Sequence, residues 1–188
     1  MFADLLAHDG VTERVELGSS FGFMAFHGGS LERGTAEIAA AAAATAGASL
    51  YTVEQPEDLR WHLPSHLVGP EGSPALAKFL DHVDVVVSIH GFGREGYWTR
   101  LLLGGGNREL AVRVGVVLRA GLPGFEVVDD VEEIPSTLRG LHPENPVNRA
   151  RGGGVQLELP PRVRNLGPHG RPEHVDALVR ALASAVAA

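Results

Sequence analysis

Residues 20–47 read SFGFMAFHGGSLERGTAEIAAAAAATAG and decide the fold class. The first eight, ending at His27, are an apolar run of strand length. Gly28 and Gly29 then let the chain turn. An alanine-rich helix is expected over 31–46, closed by Gly47 as a C-cap. ASLYTV at 48–53 reads as a second strand. Strand, helix, strand in immediate succession is the signature of an α/β layer structure.

The pattern continues outward. Residues 55–73 form a polar loop rich in proline and glycine. Ser73 followed by Pro74 is an N-cap with proline in the first helical position, which predicts a helix to about His82. VDVVVSIH at 83–90 is a continuous apolar run, the mark of a strand buried on both faces. Asn107 caps a helix to about Ala120, FEVVD at 125–129 is a strand, and 135–153 is a loop. VQLEL at 155–159 is a further strand. Pro172 opens a last helix, in which Val175, Leu178, Val179, Leu182 and Val186 recur at helical spacing. The expected fold is a single α/β domain, a three-layer sandwich with a mixed, largely parallel sheet. Residues 1–188 are taken as one domain, with a motif-bearing core at about 20–165 and the C-terminal helix at 172–187.

The composition excludes several classes. The chain has no cysteine, so disulfide scaffolds, thiolate zinc fingers, iron–sulfur clusters and cysteine nucleophiles are ruled out. Sixteen basic against 23 acidic residues give a net charge of −7, a poor basis for nucleic-acid binding. No segment has the length and apolarity of a membrane span. The first residues lack the basic start and apolar core of a secretory signal, so a cytoplasmic location is expected. Nine histidines without cysteine suit oxygen and nitrogen metal chemistry.

In sheets of this kind ligands gather at the carboxyl ends of the strands. His27, His90 and Glu158 all stand at or near such ends. His27 and Glu32 across a glycine turn supply two ligands for a divalent ion. His90, followed by Gly91 and Gly93, supplies a third and leaves one position open. The competing reading makes the histidines hydrogen-bonded loop residues and Glu32 a helix N-terminal acid. Gln156 and Glu158 lie two apart and share one strand face, with Val155, Leu157 and Leu159 on the other. Glu158 is therefore either a base beside a metal site or part of the solvated face of an edge strand.

Three segments, HGGSLERGTAEIA, VSIHGF and GVQLELPPRVR, resemble the poly-γ-glutamate hydrolase family, phage and bacterial zinc peptidases with a fold like that of zinc carboxypeptidases. The resemblance runs from about Phe21 to Arg164 and takes in NPVN and the HLPSH loop. It implies one Zn2+ per chain held by His27, Glu32 and His90, with Glu158 as the catalytic carboxylate and Arg164 within the pattern. The sequence departs from the family at Phe92, where a polar residue is usual, and at Pro160–Pro161, where a Ser–Arg pair is frequent.

The implied activity is zinc-dependent hydrolysis of γ-glutamyl amide bonds in a small or polymeric glutamyl substrate, with no nucleic-acid or membrane partner. Two other classes carry the same fold. One is a metallo-amidase or deacylase on another acyl or peptidoglycan-type substrate, and the other a catalytically silent binding domain. Asn148, Arg149, Arg164 and His66 are the substrate-binding candidates. Pro64 rules out a helical reading of the His62/His66 pair. The GGG runs at 104–106 and 152–154 lack the Gly-Lys-Ser/Thr ending of a phosphate loop. His8, His82, His169 and His174 are expected at the solvent surface.

Overall fold

The computed structural model describes residues 1–186. In chain order the elements are α1 (Phe2–Leu6), β1 (Thr12–Glu16), β2 (Ser19–Gly29), α2 (Thr35–Ala46), β3 (Ala48–Gln55) and α3 (Pro74–His82). There follow β4 (Val85–Gly91), β5 (Arg100–Leu103), α4 (Arg108–Gly121), β6 (Glu126–Val128), β7 (Gly154–Leu159) and α5 (Pro172–Ser184). The seven strands form one sheet in the order β1-β3-β2-β4-β7-β5-β6. The central four, β3, β2, β4 and β7, run parallel. β1 joins β3, and β5 joins β7, in antiparallel fashion. β7 is thus an inner, fully buried strand rather than the solvated edge that was the alternative reading.

Helices cover both faces of the sheet. α2, α4 and α5 pack on one face against Phe23, Leu50, Val87, Ile89, Val155 and Leu157. α1 and α3 pack on the other against Met24, Phe26, Tyr51, Val53 and Val86. The strict alternation of side chains along each strand sorts these two cores. Ser88 and His90 therefore share the α3 face of β4, and Gln156 and Glu158 the same face of β7. The predicted caps form: Ser73 Oγ accepts the Leu76 N–H and Asn107 Oδ1 the Leu110 N–H, each at the first turn of its helix.

The structure corrects the sequence reading at several points. α2 begins at Thr35, not at 31, because Gly34 takes a left-handed conformation (φ +86°) and holds residues 30–34 as a turn. α1, β1 and β5 were not anticipated. α1 has only five residues, β5 only four, and β1 is an exposed edge strand with one half-buried apolar residue, Val15. His174 is half-buried against the Phe125 ring rather than exposed. The expected end of the last helix at 187 lies outside the described residues.

The glycine pair after His27 has two separate functions. Gly28 faces α2, and a Cβ there would lie 2.8 Å from the Ala36 Cβ and 3.0 Å from the Val53 carbonyl oxygen. Gly29 carries a positive φ of +72°, and its Cβ would lie 2.2 Å from the Gln55 carbonyl oxygen. Gly28→Val is expected to cost about 1–3 kcal/mol by overpacking, read as a drop of several degrees in Tm.

Candidate metal and catalytic site

A register shift between Ala25 and Gly28 sets the site. Ala25 pairs with Thr52 and Gly28 with Glu54, so Phe26 and His27 together oppose the single residue Val53. This is a β-bulge, and it re-aims a side chain. Without it, His27 would follow Phe23 and Ala25 onto the α2 face. With it, His27 joins His90 on the α3 face, where the two rings lie 5.1 Å apart and the Phe26 ring meets each edge-on at 4.8 Å.

Glu32 enters from the turn after β2. Its backbone N–H donates to the His27 carbonyl at 2.9 Å, which closes the turn over the imidazole. Its two carboxylate oxygens divide between the histidines. Oε1 lies 3.0 Å from His27 Nδ1, and Oε2 lies 3.4 Å from His90 Nδ1. Oε2 also accepts the Gly91 N–H at 2.9 Å. The far nitrogens are occupied elsewhere. His27 Nε2–H donates to the Leu63 carbonyl at 2.8 Å, and His90 Nε2 lies 3.0 Å from Ser88 Oγ. The Leu63 carbonyl can only accept, so a neutral His27 carries its proton on Nε2 and has Nδ1 free to ligate an ion, whereas Ser88 Oγ can donate to or accept from His90 Nε2.

This donor set fits a divalent ion. Four ligands at about 2.0–2.1 Å in a tetrahedron stand about 3.3 Å from one another. The observed 3.0 and 3.4 Å separations bracket that figure. Among the described residues, His27, Glu32 and His90 form the His/Asp/Glu group whose ligand atoms gather closely enough to hold a metal. The electrostatics agree. Burial alone would raise the Glu32 carboxyl, but the charges and hydrogen bonds of His90 and His27 outweigh it and hold the group far below the usual carboxylate range. Burial opposes protonation of His90, and the Glu32 and Glu158 carboxylates reverse that, raising it. The pocket thus favours positive charge between Glu32 and the imidazoles.

Glu158 is the register neighbour of His90 across β4 and β7 and shares its face. It is 4% exposed, and burial pushes its carboxyl up to about 7, with the Glu32 charge adding to the rise. Gln156 Nε2 donates to its Oε1 at 2.9 Å, and Gln156 Oε1 in turn accepts from Asn145 Nδ2 at 2.8 Å. A carboxyl near neutrality beside a His–Glu–His donor set has the properties of an acid–base group.

These groups line one cleft of about 460 Å3, walled by the loops at 62–66 and 136–145. Of the four substrate-binding candidates only His66 lies in it, its ring 4.8 Å from that of His142. Asn148 instead ties loops together, donating to the Gly140 and His142 carbonyls and accepting from Gly106 N–H. Arg149 pairs with Glu144 and Glu71 outside the cleft. Arg164 lies behind it, its guanidinium turned to backbone carbonyls. Among the described residues, no arginine or lysine lines the cleft.

Sequence reasoning missed Ser88, Phe26, Asn145 and the Leu63 carbonyl. Ser88 was discoverable, since it lies two residues before His90 on one strand face. Nothing local marks the others.

The sequence profile of the poly-gamma-glutamate hydrolase family matches residues 5–170. The chain belongs to the poly-gamma-glutamate hydrolase family. The structure of a bacteriophage poly-gamma-glutamate hydrolase superposes on this family member with a TM-score of 0.77 and 24% identity, covering 98% of this chain and 92% of the phage protein. A zinc-free, apo form of a protein designated YNDL gives a TM-score of 0.71 at 22% identity, over 92% of this chain and 89% of that one. An N-acetylmuramoyl-L-alanine amidase from Clostridium difficile 630 shares the fold more distantly, with a TM-score of 0.50 and 13% identity over 90% and 96% of the two chains. No curated protein matches the sequence significantly. No helix of the described residues is long and apolar enough to cross a membrane.

A divalent ion at 100 times its dissociation constant should add about 2.7 kcal/mol to the unfolding free energy. His27→Ala should abolish that increment in denaturant titrations with and without the ion.

Proposed function

We propose that this chain is a zinc-dependent hydrolase of γ-glutamyl amide bonds, with His27, Glu32 and His90 as the metal ligands and Glu158 as the general base. One observation carries the reading. A buried His–Glu–His donor set opens on the same cleft as a carboxyl lifted to about 7, at the carboxyl ends of adjacent parallel strands. Family membership supplies the bond class.

Zinc, when bound, polarises the scissile carbonyl and acidifies the attacking water. The protein's own groups do the rest. Gln156 fixes Glu158 through Oε1, and among the described residues no hydrogen bond is made to Oε2. Oε2 accepts a proton from the attacking water as its oxygen bonds to the amide carbon. The protonated carboxyl returns that proton to the leaving nitrogen as the C–N bond breaks. The Asn145–Gln156 contact holds this relay in place from behind.

His66 is the remaining substrate-side candidate, and His142 stands beside it. Glu144 N–H donates to His142 Nδ1 at 3.1 Å, which leaves the proton of the neutral ring on Nε2 as a donor. With no arginine or lysine in the lining among the described residues, these two imidazoles, with His62 beside them in the cleft, are suited to a glutamyl α-carboxylate.

Purified protein should cleave γ-linked polyglutamate, spare the α-linked polymer, and lose activity to a chelator. Cleavage of neither polymer with zinc bound would favour another acyl substrate or a silent domain. In Glu158→Gln, turnover should fall roughly 10²–10⁴-fold while zinc content by elemental analysis stays at the wild-type level. Loss of zinc together with activity would make Glu158 a ligand instead.

A further inference from the structure

The three segments that carry Glu32, His90 and Glu158 are far apart in sequence and meet only at the end of the sheet. One side chain touches all three. Arg164 follows β7 in the turn that Leu166 N–H closes onto the Pro161 carbonyl. Its Nη1 donates to the carbonyl of Arg33, the residue after Glu32, at 2.6 Å. Its Nη2 donates to the carbonyl of Phe92, two residues after His90, at 3.4 Å. Its Nε donates to the carbonyl of Leu159, the residue after Glu158, at 3.2 Å.

The approach depends on glycine. Side chains alternate along β4, so position 91 faces away from the His90 ring. A Cβ on Gly91 would lie 2.7 Å from the Arg164 guanidinium carbon. The guanidinium therefore lies directly behind the backbone whose N–H binds Glu32 Oε2.

Arg164 is 8% exposed and makes no ion pair within contact distance among the described residues. Burying a guanidinium on neutral carbonyls is costly, and an apolar side chain of similar length would fill the space without that cost. What an apolar side chain lacks is a rigid, planar set of donors aimed in three directions.

We infer that Arg164 is a positioning residue, which locks the Glu32 turn, the end of β4 and the end of β7 into one register so that the metal ligands and the base meet. This assignment replaces the substrate-contact role expected from the sequence, and it rests on the metal-hydrolase reading above. The geometry gives it a specific requirement. An ammonium carries charge but cannot span three carbonyls set around a plane.

The test compares Arg164→Met, Arg164→Lys and a core control, Leu118→Ala, whose side chain lies under α4 away from the cleft. Zinc affinity is measured by chelator competition, and kcat and KM are measured at saturating zinc. Arg164→Met should weaken zinc binding and lower kcat, each by about 10–100-fold, with KM little changed. Arg164→Lys should not restore either. Leu118→Ala should retain both despite a lower Tm. Effects of Arg164→Met no larger than those of the control overturn the inference, and full rescue by lysine overturns the three-way clamp in favour of charge alone. If Arg164→Met does not fold, Gly91→Ala displaces the guanidinium without removing it. Wild-type zinc affinity and kcat in that variant also overturn the inference. Wild-type protein that neither binds zinc nor hydrolyses the polymer defeats the functional reading itself. Normal wild-type behaviour with inert Arg164 variants defeats only this inference.

Discussion

One extra residue in β2 determines which face of the sheet carries His27. The bulge at Phe26–His27 opposes two residues to Val53 and reverses the side-chain parity of the strand just before it ends. The upstream half of β2 can therefore give Phe21, Phe23 and Ala25 to the core under α2, while the last imidazole turns to the opposite face. The consequences extend in both directions. The shifted parity also turns Gly28 toward α2, where only a missing Cβ permits the approach of Ala36. The two glycines, the bulge and the close-packed alanine face of α2 thus form one structural solution.

The second organising feature is the way charge is disposed in the buried pocket. Two carboxylates and two imidazoles lie within a few side-chain lengths of one another, where desolvation penalises every charge. Their responses separate. Glu32, held between two imidazoles, is stabilised as an anion, whereas burial, with a smaller push from the Glu32 charge, raises Glu158 to about 7. The same residue type ends on opposite sides of its ordinary value, because the imidazoles overcome burial at Glu32 while burial prevails at Glu158.

Much of this was legible in the sequence because it depends on period-two alternation and on caps. Ser73, Asn107 and Gly47 mark helix ends through local backbone chemistry. Gln156 and Glu158 announce a shared face by spacing alone. The His27–Glu32–His90 grouping was open to a bland alternative from spacing, and the family resemblance sharpened it. The bulge was invisible, since no residue type requires it and the register is decided by pairing with β3. Arg149 and Arg164 were read as substrate contacts because a guanidinium suits a carboxylate. The tertiary structure instead commits one to Glu144 and Glu71 and the other to backbone carbonyls. Such commitments come from chain segments that sequence separation hides.

The absence of arginine and lysine from the cleft lining, among the described residues, has a consequence for encounter kinetics. A protein of net charge −7 repels a polyanion over distances comparable to the Debye length, about 10 Å at 0.1 M ionic strength. Enzymes that steer charged substrates with an opposite field lose association rate as salt is added. Here the sign is inverted for a glutamyl polymer: added salt screens a repulsion, and capture becomes faster as ionic strength rises.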